Sequence, residues 1–371
     1  GVQSLGEHID SLLGVSTADF GAAAGQPIIR GLSGTRVKVL NNGTVIRDVS
    51  GLGPDHAIDA SLTDLQQIEV VRGPSALMYS NGSSGGIVNI VDNTIPVIDL
   101  EGFSGMLGAE AQSVNDGEAA DFAIRGNIGG LNLTYSFQDQ DLDNYEVPKN
   151  AVLEIHDDHD EEHHDEDHGE EHEEHGAEGD LANSDYEATS HRLGLSTTGD
   201  WGYVGLSYTD NSTTYGIPFH VEPPGGHGGH GGHHDDEHEE DHEGEHEGED
   251  HHDEHGEERV AAETESETVT FRGSLNTSFG WLNSVDFVFK DTDYQLSQGH
   301  MEVGHDDEHE GEEHEGEEHD GHDEHGPTVF SNESTEIQVA LDLSAGERVR
   351  RLVFNYAEEE MSIIGEEAFM A

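Results

Sequence analysis

The sequence predicts a small α+β unit followed by an antiparallel transmembrane β-barrel, incomplete in this chain at about nine strands. Three observations point there. From about residue 102 onward, apolar and polar residues alternate with period two. The links between these stretches are alternately very short and very long. The first hundred residues, by contrast, have the mixed texture of a compact unit with one helix, several strands and glycine-rich turns.

The alternation is cleanest in Leu131-Asn132-Leu133-Thr134-Tyr135-Ser136-Phe137-Gln138, and it recurs in 336–343, in Val269, Phe271, Gly273 and Leu275, in Val285, Phe287 and Phe289, and in Leu352, Phe354 and Tyr356. It predicts strands near 102–112, 118–128, 131–141, 187–198, 201–212, 267–278, 281–294, 331–344 and 348–358. A water-soluble sandwich alternates in the same way, so the connections must decide between the two. Those at Gly129-Gly130, Gly199-Asp200, Gly280 and 345–347 are tight, whereas those near 142–186, 213–266 and 295–330 are long. Short turns on one side and long loops on the other are the signature of an outer-membrane barrel. Plugged barrels have roughly 22 strands, so more than half of the barrel is expected to lie outside these residues.

Composition narrows the partners. Asp and Glu outnumber Lys and Arg 82 to 14, for a formal charge of -68. Nucleic acid is excluded by that balance, because phosphate binding needs a basic surface, and a cation is the natural partner. With no cysteine, a metal would be held by imidazole and carboxylate. No apolar run approaches the roughly 18 residues of a membrane-spanning helix, which says nothing against short, alternating barrel strands. The chain opens at Gly1 without a secretory leader, which is expected to precede these residues.

Three runs, 154–178, 222–258 and 300–325, are almost entirely Asp, Glu, His and Gly. Together with His220 just ahead of the second, they hold 25 of the 28 histidines, leaving His8, His56 and His191. Such text has no apolar area to bury and predicts solvated loops. A charge block is ordinarily a solvated tether. Here, however, histidine recurs every few residues, and neutral imidazole with carboxylate suits zinc, copper(II) and nickel better than magnesium or calcium. The expected ligands are His163, His164 and His168 in the first run, His220, His227, His230, His233, His234 and His238 at the second, and His309, His314 and His319 in the third. These would form many weak, interchangeable sites.

Residues 1–96 carry a family resemblance. Ile29-Arg30-Gly31, the hairpin Val39-Leu40-Asn41-Asn42-Gly43, the segment Ile68-Glu69-Val70-Val71-Arg72-Gly73-Pro74 through Tyr79, and Gly85-Gly86-Ile87-Val88-Asn89-Ile90 resemble, in order, the plug-domain motifs of TonB-dependent outer-membrane receptors. Asn42 stands where that family usually has Asp, and Ser80 where it usually has Gly. The resemblance implies a plug over 1–96 whose amino-terminal part lies outside this chain, and a barrel from 97 to 371 with its histidine-rich loops extracellular. It also implies residence in the Gram-negative outer membrane, lipid around the barrel, and coupling to the TonB-ExbB-ExbD complex through a segment not present here. Gly53-Pro54-Asp55-His56-Ala57 and Tyr215-Gly216-Ile217-Pro218-Phe219-His220 resemble the zinc-receptor (ZnuD-type) branch, which would make Asp55 and His56 plug ligands to a metal. On their own these two residues are ordinary turn chemistry after Pro54; as adjacent ligands they need further donors to fill a tetrahedral shell.

The expected function is import of a divalent transition metal, zinc first. Receptors for copper, nickel, haem or a metal-siderophore chelate are the alternatives within the class, and a non-transporting surface metal buffer or adhesin is the alternative outside it. No nucleophile elbow, phosphate loop or catalytic dyad stands out, and neither an enzymatic activity nor a catalytic cofactor is expected.

Overall fold

The computed structural model describes residues 4–21, 23–73, 76, 82–148, 180–218, 258–302, 327–344 and 350–365. Its first unit opens with α1 (Leu5–Ile9), started by a capping box in which Ser4 Oγ accepts from the Glu7 N–H at 3.3 Å and Glu7 Oε2 accepts from the Ser4 N–H at 3.4 Å. The helix lies on the hairpin of β1 (Val15–Phe20) and β2 (Ala24–Ile29). β3 (Val37–Asn41) turns back through Asn42 and Gly43, both with positive φ, into β4 (Thr44–Val45). β5 (Leu65–Val71) runs antiparallel to β6 (Gly86–Asp92), and β6 runs parallel to β3, which gives a sheet of order β4-β3-β6-β5. Leu5, Ile9, Val15, Ile29, Val37, Val88 and Ile90 close the core between helix, hairpin and sheet.

The remaining strands form one antiparallel sheet. They are β7 (Phe103–Ala111), β8 (Glu118–Ile128), β9 (Leu131–Leu142), β12 (Tyr186–Gly199), β13 (Gly202–Gly216), β14 (Glu258–Asn276), β15 (Leu282–Glu302), β16 (Thr328–Leu343) and β17 (Arg351–Ile364). Each pairs with its neighbours in chain order, with β7 and β17 as the open edges. A two-residue ladder of β10 (Tyr145–Glu146) and β11 (Asp180–Leu181) sits on the connection from β9 to β12. Among the described residues no helix is long and apolar enough to cross a membrane.

Two faces follow from the pleat. The inward face is polar and is buried against the first unit through Asn132, Ser196, Lys290, Asn332 and Glu336. The outward face carries an exposed apolar belt that includes Leu193, Leu206, Phe271, Phe289, Ile337 and Phe354. Two rows beyond Leu206, Phe271, Phe289 and Ile337, the side chains of Asp210, Glu267, Asp293, Glu333 and Glu360 stand side by side across five consecutive strands.

The nine predicted strands are all present, and several run past their expected ends, β14 and β15 the furthest. Segments 258–266 and 295–302, predicted as loop, are strand. Their outward residues include Glu263 and Glu265 and their inward ones Ala262, Thr264 and Ser266, so neither face is apolar and hydropathy cannot mark them. The long connections are correspondingly shorter, and all three leave and rejoin the sheet at the same end.

Candidate functional site

Between β4 and β5 the chain runs in a loop that reaches toward the end of the sheet from which the histidine-rich connections depart. Asp55 and His56 lie at its tip, and His56 is buried at 5 % exposure. Its Nδ1–H donates to the Val49 carbonyl at 3.1 Å, while Nε2 stands 3.2 Å from Gln298 Oε1 on β15. The Phe330 ring meets the imidazole edge-on at 5.2 Å. Gln298 also donates from Nε2 to Asp55 Oδ2 at 3.3 Å, so one amide touches both candidate ligands.

The donor count in this trio is instructive. Carbonyl oxygens flank both imidazole nitrogens, and a neutral ring can donate to only one of them. With Nδ1 donating to Val49, the Nε2 lone pair faces Gln298 Oε1. Turning the amide over would serve Nε2 and set an oxygen against Asp55 instead. In either amide orientation the group is therefore one N–H donor short of full satisfaction.

The backbone of the loop is fixed from several sides. The Tyr215 hydroxyl, on β13, accepts from the Ala57 N–H at 3.0 Å and donates to the Asp55 carbonyl at 3.3 Å. Gln26 Nε2 lies within donating distance of the carbonyls of Ser50 (2.6 Å), Gly53 (2.7 Å) and His56 (3.1 Å). Gly53 is required by space, since a Cβ there would stand 2.4 Å from Asp55 Oδ1. Burial pushes the Asp48 carboxyl up to about 6 against the opposing bonds from Ser50 and Asp59, and burial likewise raises Asp59, opposed by Ser266 and Asn211. Lower on the wall, Arg125 pairs with Asp64 at 2.6 Å and Arg192 donates to the Thr63 carbonyl. Burial would raise Asp92 as well, but the nearby Arg192 charge and bonds from Thr94, Asn41 and Asn42 outweigh it and hold the carboxyl below its ordinary value.

Of the residues expected to bind metal, the structure thus brings together Asp55 and His56. His163, His164, His168, His220, His227, His230, His233, His234, His238, His309, His314 and His319 lie outside the described residues. Among the described residues no three His, Cys, Asp or Glu side chains converge on one point. Gln298, Tyr215 and Gln26 were not anticipated as contacts. Tyr215 opens a segment already singled out by resemblance, whereas for Gln298 the only available signal was its inward parity on an alternating strand. His191, one of the histidines outside the three runs, sits at the upper edge of the outer belt, with Nδ1 3.1 Å from the Tyr135 hydroxyl and its ring 4.9 Å from Phe137.

A small sheet domain seated against the polar inner wall of an antiparallel sheet with an apolar outer belt is the fold of a plugged β-barrel. Residues 1–87 match the TonB-dependent Receptor Plug Domain family, and in the chain's fold that domain is followed by one antiparallel sheet of nine strands. Solved structures agree with this fold. The chain is similar to the copper transporter OprC (12% identity, TM-score 0.60, 98% of this chain and 45% of that one). It is also similar to the FrpB iron transporter from Neisseria meningitidis, F5-1 variant (11%, 0.63, 98% and 47%), and to the pyoverdine receptor FpvA from Pseudomonas aeruginosa PAO1 (12%, 0.57, 98% and 45%). It spans just under half the length of these proteins.

Proposed function

We propose that the protein is a TonB-dependent importer of a divalent transition metal, zinc first, rather than an enzyme or a passive metal buffer. The observation that carries this reading is positional. Gln298 and Tyr215, which hold the Asp55-His56 pair, lie near the ends of β15 and β13, where the third and second histidine-rich connections depart. Capture outside and a tighter site just beneath it are thereby in series. The loops would collect Zn²⁺ and concentrate it through their negative field, and the metal would pass to His56 Nε2 and the Asp55 carboxylate. The Nδ1–H bond to Val49 keeps the imidazole in the tautomer that offers Nε2, as metal-bound histidines generally require. Gln298 Oε1 and water would complete the shell. Rearrangement of the plug, driven by TonB-ExbB-ExbD, would then release the ion inward.

Copper(II) and nickel are served by the same donors, whereas haem and siderophore chelates call for aromatic or Arg-lined loops, and the three loops here contain almost neither. Calorimetric titration of the full-length receptor in detergent with Zn²⁺, Cu²⁺ and Ni²⁺ tests the reading. One tight step that vanishes in the Asp55→Ala/His56→Ala variant, above a weak multi-ion phase that persists, is the expected result. A tight step unaffected by the double substitution would remove the plug site, and the absence of any tight step would favour a chelated cargo.

A further inference from the structure

The loop that presents Asp55 and His56 begins and ends on a single side chain. Asp48 Oδ1 accepts from the Ser50 N–H at 3.1 Å and from the Ser50 hydroxyl at 2.7 Å, and Asp48 Oδ2 accepts from the Asp59 N–H at 3.0 Å. One carboxylate thus ties residue 50 to residue 59, across the mouth of the segment that carries both candidate ligands. Inside the loop the backbone bonds are short-range: Leu52 N–H to the Val49 carbonyl at 2.9 Å, and a long 3.5 Å contact from the His56 N–H to the Gly53 carbonyl. Neither spans the mouth.

The charged neighbours are engaged elsewhere. Arg47 is 2.8 Å from Glu359 and 3.7 Å from Glu336, and Lys290 donates to the Val45 carbonyl at 3.3 Å. Asn332 on β16 donates to the Asp48 backbone carbonyl at 3.3 Å and leaves the side chain alone. The carboxylate is therefore held by neutral N–H and O–H donors of its own loop. A half-buried carboxylate bonded at two points of one loop is a clasp.

We propose that Asp48 is a positioning residue for the divalent-cation site: its carboxylate closes the 48–59 loop, so that closure of the loop and convergence of Asp55 with His56 on the cation are one coupled event. The inference rests on the metal-site reading given above, but the clasp itself does not. Because the two ligands are adjacent in sequence and their outer partners, Gln298 and Tyr215, belong to the barrel wall, the ligand geometry depends on how the loop is presented to that wall. An open mouth lets the tip swing off Gln298 with both ligands aboard. A filled site favours the closed mouth, by reciprocity of coupling.

The test is hydrogen exchange by mass spectrometry on the full-length receptor, read beside a zinc titration, in wild type, Asp48→Asn and Ser50→Ala. Asn has the same shape but turns one acceptor oxygen into an N–H donor that faces the Ser50 or Asp59 N–H. Ser50→Ala removes only the hydroxyl donor and serves if the first variant folds poorly. The expected result for Asp48→Asn is exchange over 48–59 faster by about tenfold or more, unchanged exchange in β5 and β6, a tight zinc step weakened by a similar factor, and an unaltered weak loop phase. Ser50→Ala should move in the same direction by less, and saturating zinc should restore slow exchange in both. Exchange over 48–59 that stays at the wild-type rate would overturn the clasp. Faster exchange with an undiminished tight step would overturn its positioning role. A wild-type receptor with no tight zinc step would bring down the metal-site reading and the coupling with it, while the exchange arm still decides the clasp.

Discussion

Carboxylates occupy two regions of this molecule in opposite ways. At the junction of plug and barrel, Asp48, Asp55 and Asp59 each sit among specific donors: Asp48 on Ser50 and the Asp59 N–H, Asp55 on Gln298, Asp59 on Asn211. On the outer wall, Asp210, Glu267, Asp293, Glu333 and Glu360 stand side by side in strand register with like charge against like charge. Cross-strand pairs of one sign oppose folding, whereas a buried carboxylate supplied with donors fixes the groups that supply them. The same side chain thus constrains geometry inside and imposes a solvation requirement outside. Net charge alone conceals the difference.

The comparison can be broken most directly at the ligand pair. Removing Asp55 and His56 together should abolish the tight zinc step, a loss of about a hundredfold or more in affinity, while neutralising an outer residue through Glu267→Gln should leave zinc binding unchanged in the same calorimetric experiment. Equal losses from both would mean that the inner carboxylates act through bulk charge and not through geometry.

Acidity sharpens the contrast. The Asp48 carboxyl is raised to about 6 by burial, so the folded state prefers its protonated form. Its contribution to stability is complete below about pH 4 and is lost as pH rises through about 6, an amount on the order of 3 kcal/mol. Scanning calorimetry of the receptor between pH 4 and 7 should show this decline, added to a like-signed one from Asp59, and Asp48→Asn should lack its share. Zinc capture runs the other way, weakening as pH falls through the imidazole range near roughly 6.5 because the ligands must be deprotonated.

Smaller effects test redundancy. Gly53→Ala should displace the Asp55 carboxylate by steric contact with Oδ1 and weaken the tight step several-fold, on the order of one lost hydrogen bond to a charged group. A single loop substitution such as His234→Ala should change the weak phase by less than the scatter of a titration, since its neighbours are equivalent. The outer row predicts the smallest shift: Glu267→Gln should raise the thermal midpoint slightly at low ionic strength, and the gain should vanish in high salt as the repulsion is screened.

The barrel was legible because lipid on one side and a polar lumen on the other impose period two, which Leu131 to Gln138 carry without error. The signal stops where the lipid stops. Strands continue through 258–266 and 295–302, but there water bathes the outer face and the alternation of Glu with Ala, Thr or Ser no longer registers as hydropathy. β1, with Val15-Ser16-Thr17-Ala18-Asp19-Phe20, was missed for a similar reason, its apolar residues being too few to set a period. Asp55 and His56 were legible as a pair in a glycine-rich turn. Their partners were not, since Gln298 is 242 positions from His56 in the chain and only the register of the barrel against the plug brings them together. Asp48 gave no sign, because an Asp two residues before a Ser reads as common turn chemistry.

The row of outer acids also works as a waterline. Carboxylates do not enter hydrocarbon without large cost, so five of them at one level, with Asp291 and Glu358 in the row below and Leu206, Phe271, Phe289, Ile337 and Tyr356 in the next, set how far the barrel can sink. Gln298 lies five positions beyond Asp293 on β15, roughly 17 Å along the strand at about 3.4 Å per residue. The Asp55-His56 pair therefore stands well above that row of acids, toward the aqueous exterior, and an ion held there as proposed would shed water onto protein donors before any of its path is flanked by the membrane.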